Sequence, residues 1–137
     1  MIVIDASVLT GFLLDRKEAV GAIEEELAGR EQEALHAPEV VEPETLNALR
    51  KMSFRGLVTL RGATKAVADL GKIRLIRYPH EPLRPRMWEL RDHLSAYDAS
   101  YVALAGALGD VVLVTADRGM ATVATRLLGN DRVRRVA

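Results

Sequence analysis

The sequence of 137 residues has no cysteine, only six aromatic residues and no long apolar run. The absence of cysteine excludes disulfide scaffolds, zinc fingers, iron–sulfur clusters and thiol nucleophiles. The scarcity of aromatic residues argues against RNA-recognition and OB-type domains, which stack bases on aromatic side chains. The first apolar run ends at Asp5, too early for a signal peptide, and no segment approaches the ~20 apolar residues of a membrane span. We therefore expect a cytoplasmic protein without membrane association.

The formal net charge is zero, with 19 basic and 19 acidic residues, but the charges are unevenly distributed. Residues 1–49 carry 11 acids and 3 bases, whereas residues 50–91 carry 3 acids and 11 bases. This asymmetry indicates either that separate surfaces have separate partners or that solvated helix faces differ in sign. The length and the 49% share of hydrophobic residues predict one globular domain over residues 1–137.

Short β-branched runs alternate with helical patterns along the chain. Uninterrupted apolar runs are typical of strands buried on both faces. Together with further short runs they predict strands at 1–5, 34–36, 73–76, 111–114 and 133–136. The alternation predicts an α/β fold in three layers, with a central, mainly parallel, short-stranded sheet flanked by helices.

The predicted helices fill the segments between these strands. Apolar periodicity and Gly or Pro punctuation place them at 8–14, 17–28, 59–70, 97–108 and 121–128. Another helix ends near Phe54 and begins at Pro38 or Pro43, and a further one passes through Trp88 and Leu90. Helix 97–108 gives the clearest amphipathic pattern, with one face formed by Tyr97, Tyr101, Ala105 and Leu108.

Four carboxylates stand at positions where a parallel sheet could build a site. Asp5 ends the first strand and Asp117 follows strand 111–114, and ligands of such sheets bind beyond the carboxyl ends of the strands. Either residue could instead be an ordinary helix cap. Asp98 lies in the first turn of helix 97–108, where a carboxylate also complements the helix dipole. Periodicity leaves Glu42 and Glu44 equally placed at the start of their helix.

Clustered carboxylates raise one another's pKa and destabilise a fold unless a cation neutralises them. Mg²⁺ or Mn²⁺ is the natural partner, because a hard cation is held by a few carboxylates and several waters. Such a site can lower the pKa of a water and stabilise charge on a phosphate. The three histidines, His36, His80 and His93, have no ligand-like spacing.

Four segments together resemble the motifs of PIN-domain nucleases, in particular the VapC-type toxins of type II toxin–antitoxin systems. They are Val3-Ile4-Asp5-Ala6-Ser7-Val8-Leu9, Glu44-Thr45-Leu46-Asn47-Ala48-Leu49-Arg50 after Ala37-Pro38, Ser95-Ala96-Tyr97-Asp98-Ala99-Ser100-Tyr101, and Leu113-Val114-Thr115-Ala116-Asp117. Their order and separations fit the family over nearly the whole chain, and the second motif selects Glu44 over Glu42. Two departures are Pro43 directly before Glu44 and Arg118-Gly119-Met120 after the last motif.

The resemblance implies a metal-dependent endoribonuclease whose catalytic residues are Asp5, Glu44, Asp98 and Asp117. Mg²⁺ or Mn²⁺ would be held by Asp5, Asp98 and Asp117, and Glu44 would complete the cluster or orient a water. Ser7 and Thr115 match polar positions that support these ligands. The resemblance also implies a cognate antitoxin as partner and a homodimer, for which helices 17–28 and 59–70 are candidate surfaces.

The basic middle of the chain is the candidate surface for RNA, because a carboxylate cluster repels phosphates unless basic side chains lie beside it. The nearest candidates by chain position are Arg50, Lys51 and Arg55. Two alternatives remain: an RNA-processing nuclease outside a toxin–antitoxin pair, and a catalytically silent PIN interaction module. Phosphoacceptor receivers and haloacid-dehalogenase phosphatases fit less well, because the required Lys and the Asp-x-Asp motif are missing.

Overall fold

The computed structural model describes all 137 residues and contains a five-stranded parallel sheet. The strands are β1 (Ile2–Ile4), β2 (Leu35–Pro38), β3 (Leu75–Tyr78), β4 (Val112–Thr115) and β5 (Val133–Arg135), in the order β3-β2-β1-β4-β5. Every neighbouring pair is parallel. The predicted α/β class is thus confirmed, and the sheet is entirely rather than mainly parallel.

Seven helices connect the strands. They are α1 (Ala6–Leu13), α2 (Lys17–Glu26), α3 (Val41–Phe54), α4 (Leu60–Leu70), α5 (Arg84–Glu89), α6 (Ala96–Leu108) and α7 (Arg118–Leu128). None of them combines the length and the apolar composition that crossing a bilayer requires. Helices α1 to α4 pack on one another, as do α5 to α7, which gives the predicted three layers.

The central strands supply the middle of the core. All three residues of β1 are buried, as are Leu113 and Val114 of β4, so both sheet faces are covered at this point. Continuous β-branched and leucine sequence suits strands of this kind, because neither face meets water. The strands that Asp5 and Asp117 follow therefore belong to the buried centre of the fold.

Two predictions about helices were wrong. Helix α3 begins at Val41, so neither Pro38 nor Pro43 is its first residue: Pro38 ends β2, and Pro43 lies within the first helical turn. Proline is accepted there because the first backbone N–H groups of a helix have no intrahelical partner.

Helix α6 is not amphipathic. Its residues 99–105 are all buried, because α6 contacts the sheet as well as α5 and α7. Tyr97 does not share the buried environment of Tyr101: its side chain is 61% exposed, against 1% for Tyr101. A helix covered from several sides is apolar all round, and the regular spacing of its aromatic residues was therefore a poor guide.

Candidate active site

The sheet topology brings two of the candidate acids to adjacent strand ends. Asp5 follows β1, and the segment Thr115-Ala116-Asp117 ends β4, the strand that pairs directly with β1. The backbone N–H of Asp5 extends this pairing by donating to the carbonyl oxygen of Val114 at 3.3 Å. The chain order reverses here, since β2 lies on one side of β1 and β4 on the other. This is the position at which open parallel sheets bind ligands.

Asp5 is buried and held by three hydrogen bonds. Its Oδ1 accepts from the hydroxyl of Ser7 at 2.6 Å and from the backbone N–H of Val8 at 3.0 Å. Its Oδ2 accepts from the hydroxyl of Thr115 at 2.5 Å. Burial raises the pKa of Asp5, and the nearby charge of Asp117 adds to this, whereas the three donors oppose the increase. Asp5 is therefore both the cap of α1 and a precisely oriented carboxylate.

The two supporting hydroxyls are themselves fixed by backbone groups. Ser7 Oγ accepts the N–H of Ala116 at 3.1 Å, and Thr115 Oγ1 accepts the N–H of Asp117 at 2.9 Å. Because each oxygen accepts one hydrogen bond, its own hydrogen is free to point at Asp5. Ser7 and Thr115 thus join the loop after β4 to the end of β1, where the sequence motifs place supporting residues.

Asp117 caps the helix that follows it. Its Oδ1 accepts the backbone N–H of Met120 at 2.8 Å, and α7 consequently begins at Arg118 rather than at the predicted residue 121. Its Oδ2 accepts no hydrogen bond from the protein and remains available to a ligand.

Glu44 is joined to a buried tyrosine that the sequence assigned only to a helix face. The Tyr101 hydroxyl donates to Glu44 Oε1 at 2.5 Å, which links α6 to the first turns of α3. Burial, and then the bond to Glu44, raise the pKa of Tyr101, so its hydroxyl stays protonated and acts as the donor. A buried tyrosine needs a partner for its hydroxyl, which is the signal that could have pointed to this role. Glu42, in contrast, forms an ion pair with Arg77.

Asp98 is half-buried at the start of α6. Its backbone N–H donates to Ser95 Oγ at 3.2 Å, whereas its carboxylate has no hydrogen-bond partner in the protein. Burial and then, in decreasing order, the charges of Asp117, Glu44 and Asp5 raise the pKa of Asp98 to about 6. All four predicted acids therefore contribute to one region of negative potential.

The donor set fits a hard divalent cation, because carboxylate oxygens are the ligands that Mg²⁺ and Mn²⁺ accept. No three acidic or histidine side chains are already arranged as a complete metal-binding group. The Asp5 carboxylate turns towards protein donors, the hydroxyls of Ser7 and Thr115. The charges of three neighbouring acids acting on Asp98 are the better indicator of a shared site.

The predicted RNA-binding residues lie along α3, away from the candidate acid Glu44. At 1.5 Å rise per residue, Arg50 and Lys51 are about 9–11 Å along α3 from Glu44, and Arg55 is about 16 Å away. The guanidinium of Arg50 lies over the ring of Phe54, 4.6 Å from its centroid. Arg118, the first residue of α7, is exposed directly beside Asp117 and was not singled out for this role.

Known proteins are similar in sequence to this chain. Residues 2–126 match the family model described as PIN domain. The chain is 40% identical over 117 residues to VapC ribonuclease Mb0985 of Mycobacterium bovis, covering 85% of this chain and 86% of that protein. It is 32% identical to Ribonuclease VapC3 of Mycobacterium tuberculosis over 85% of this chain and 83% of that protein.

A solved structure agrees with this assignment. The crystal structure of PAE2754 from Pyrobaculum aerophilum superposes with a TM-score of 0.63 at 25% identity, over 92% of this chain and 88% of that one. The family match extends from β1 to within α7 and so includes all four acids of the site. The resemblance read from the four sequence motifs is therefore confirmed, and the chain belongs to the PIN-domain family.

Proposed function

We propose that the protein is a Mg²⁺- or Mn²⁺-dependent endoribonuclease that acts as the toxin of a toxin–antitoxin pair. The proposal is supported by the position of Asp5 and Asp117 after the paired strands β1 and β4, and by the charges of Asp117, Glu44 and Asp5, which raise the pKa of Asp98. Relatives at 40% and 32% identity are named ribonucleases, which supports RNA as the substrate.

The residues of the site have distinct proposed roles. Asp5, Asp98 and Asp117 would hold the cation, which supplies a water of lowered pKa and stabilises charge on the phosphate. Ser7 and Thr115 keep the Asp5 carboxylate in one orientation through the bonds described above. Glu44, held by Tyr101, completes the cluster or orients the attacking water. Arg118 and the basic side chains of the middle segment attract the RNA backbone.

The metal requirement is tested on a pool of single-stranded RNA oligomers incubated with Mg²⁺ or Mn²⁺. We expect EDTA to abolish cleavage and Asp98→Asn to reduce it by at least about 100-fold, because even indirect partners of metal sites contribute 10–100-fold. Asp98 gives the clearest test of the metal site, because Asp98→Asn removes a charge without removing a hydrogen bond within the protein. Asp5→Asn should also abolish cleavage and leave the fold intact.

The exposed Asp110, which has no side-chain partner, provides the matched control as Asp110→Asn. Cleavage that persists in EDTA would contradict the metal-dependent mechanism. Cleavage that is equally affected by Asp98→Asn and Asp110→Asn would contradict the assigned site.

The proposed antitoxin and homodimer are supported by exposed apolar side chains, which on a small protein mark surfaces for partners. Several lie on or between α3 and α4: Leu46, Phe54, Leu57, Leu60 and Val67. A short reading frame immediately upstream whose product suppresses the growth defect of induced expression would support the toxin assignment. Growth inhibition that survives Asp98→Asn would instead indicate a catalytically silent binding module, and a gene without such a neighbour would favour RNA processing.

A further inference from the structure

A small cavity at the same carboxyl edge of the sheet, lined in part by residues that follow β2 and β3, is not used by the hydrolysis proposed above. It has a volume of about 110 Å³ and is lined by Val40, His80, Met87, Ala96, Tyr97 and Ser100. Two of these residues connect it directly to the site. Tyr97 precedes Asp98 in α6, and Val40 precedes the first residue of α3, the helix that carries Glu44.

The cavity offers an aromatic surface and apolar walls. Tyr97 is 61% exposed although it belongs to the largely buried helix α6, so its ring is accessible from solvent. Val40, Met87 and Ala96 present no side-chain hydrogen-bonding group apart from the weak acceptor sulfur of methionine. Ser100 is also occupied, because its hydroxyl donates to the carbonyl oxygen of Tyr97 at 2.5 Å.

Besides the Tyr97 hydroxyl, His80 supplies a directional polar group to this lining. The backbone N–H of Val40 donates to Nε2 of His80 at 3.1 Å, which requires that Nε2 carry no proton. In the neutral imidazole the hydrogen is then on Nδ1, so His80 has a second ring nitrogen that acts as a donor. An aromatic face, apolar walls and a hydrogen-bond donor together suit a flat heterocycle with acceptor atoms on its edge.

The size and surroundings of the cavity indicate one unit of a polymer. It is smaller than the roughly 300–1,000 Å³ clefts that enclose whole small-molecule ligands, so it accommodates a single group of a larger molecule. The neighbouring helix α5 is basic, with Arg84, which forms no ion pair, and Arg86, which pairs with Glu89. A purely apolar protein side chain would offer no acceptor to the His80 donor, whereas a nucleobase would.

We propose that this cavity binds one unpaired nucleobase of the RNA substrate, next to the phosphodiester that is cut. The inference rests on the proposed ribonuclease function and adds to it a position of base preference. Tyr97 stacks on the base, and His80 contacts its edge. Proteins that recognise single-stranded RNA commonly splay a base out and stack it on an aromatic side chain in this way.

The test maps cleavage sites by sequencing, after limited digestion of a random-sequence RNA oligomer pool with Mn²⁺. Wild-type protein should show a base preference at one position flanking the cut. Tyr97→Ala, which removes the ring, and Ala96→Leu, which fills the cavity, should each weaken that preference by roughly tenfold, in line with the loss of one base–aromatic stack. Tyr97→Phe retains the ring and should restore the preference.

Leu127→Ala, at an exposed apolar residue near the end of α7, is the matched control and should leave the preference unchanged. Efficient cleavage with the same preference in Tyr97→Ala and Ala96→Leu would overturn the base-binding role while leaving the ribonuclease function standing. Substitutions that weaken binding of a protein partner, with base preference unaltered, would show a protein-docking cavity and overturn it as well. Absence of RNA cleavage by wild-type protein would contradict the proposed function itself.

Discussion

Asp98 carries an unfavourable charge at neutral pH, because it is half-buried among other acids and no protein donor compensates it. Its pKa of about 6 lies above the ordinary value of 3.8, so the folded state binds more protons than the unfolded state between these values. The contribution of Asp98 to the free energy of unfolding is therefore fully present below about pH 4, where the carboxyl is protonated, and is lost as the pH rises through 6. Neutralising the residue should relieve the penalty only at higher pH.

We accordingly expect Asp98→Asn to increase the free energy of unfolding at pH 7.5 by about 1 kcal/mol in metal-free buffer. We expect the increase in the free energy of unfolding to be small, because Asp98 is half-exposed and solvent screens the charges of its neighbours. At pH 4 the substitution should have little effect. Urea unfolding at the two pH values measures both, with Asp110→Asn as control. A destabilised Asp98→Asn protein at pH 7.5 would show that the carboxylate stabilises the fold and is not strained by its neighbours.

Helix α7 shows how one side chain serves an element and a site together, because Asp117 caps the helix through one oxygen. Asn is as good a cap as Asp, whereas Ala removes the cap at a cost of about 1 kcal/mol. We expect Asp117→Ala to lose stability and RNA cleavage, and Asp117→Asn to lose cleavage while its stability stays within a few tenths of a kcal/mol. Urea unfolding and the oligomer cleavage assay distinguish the two effects. Full cleavage by Asp117→Asn would show that Asp117 only caps α7 and does not take part in cleavage.

The order of helices and strands could be predicted from the sequence because buried parallel strands and glycine-terminated helices leave local patterns. The start of α3 could not, since proline is compatible with several positions in a first turn. The bond between Tyr101 and Glu44 was also inaccessible, because it joins side chains 57 residues apart on two helices whose packing sets their distance. Local sequence identified the four acids, whereas their mutual electrostatic influence on Asp98 required the folded arrangement.

At the scale of the whole molecule, a cation held by the acids at one end of the sheet would stabilise the folded state. Thermal unfolding would therefore report cation binding. A ligand that binds only the folded state stabilises it by about 1.4 kcal/mol at ten times its dissociation constant. For a chain of this length we expect Mn²⁺ at that level to raise the melting temperature by roughly 4 °C, and EDTA to reverse the increase. Asp98→Asn should abolish most of the shift, and an equal shift in both proteins would place the cation elsewhere.

The hydrogen bond between Thr115 and Asp5 joins residues 110 positions apart in the chain. During synthesis Asp5 is therefore made 110 residues before the strand end whose hydroxyl orients its carboxylate. A chain that stops before Thr115 has Asp5, Glu44 and Asp98, but it lacks both the hydroxyl that orients Asp5 and the carboxylate of Asp117. The parallel pairing of β1 with β4 thus delays assembly of the site until β4 has been made, and shorter products cannot form it.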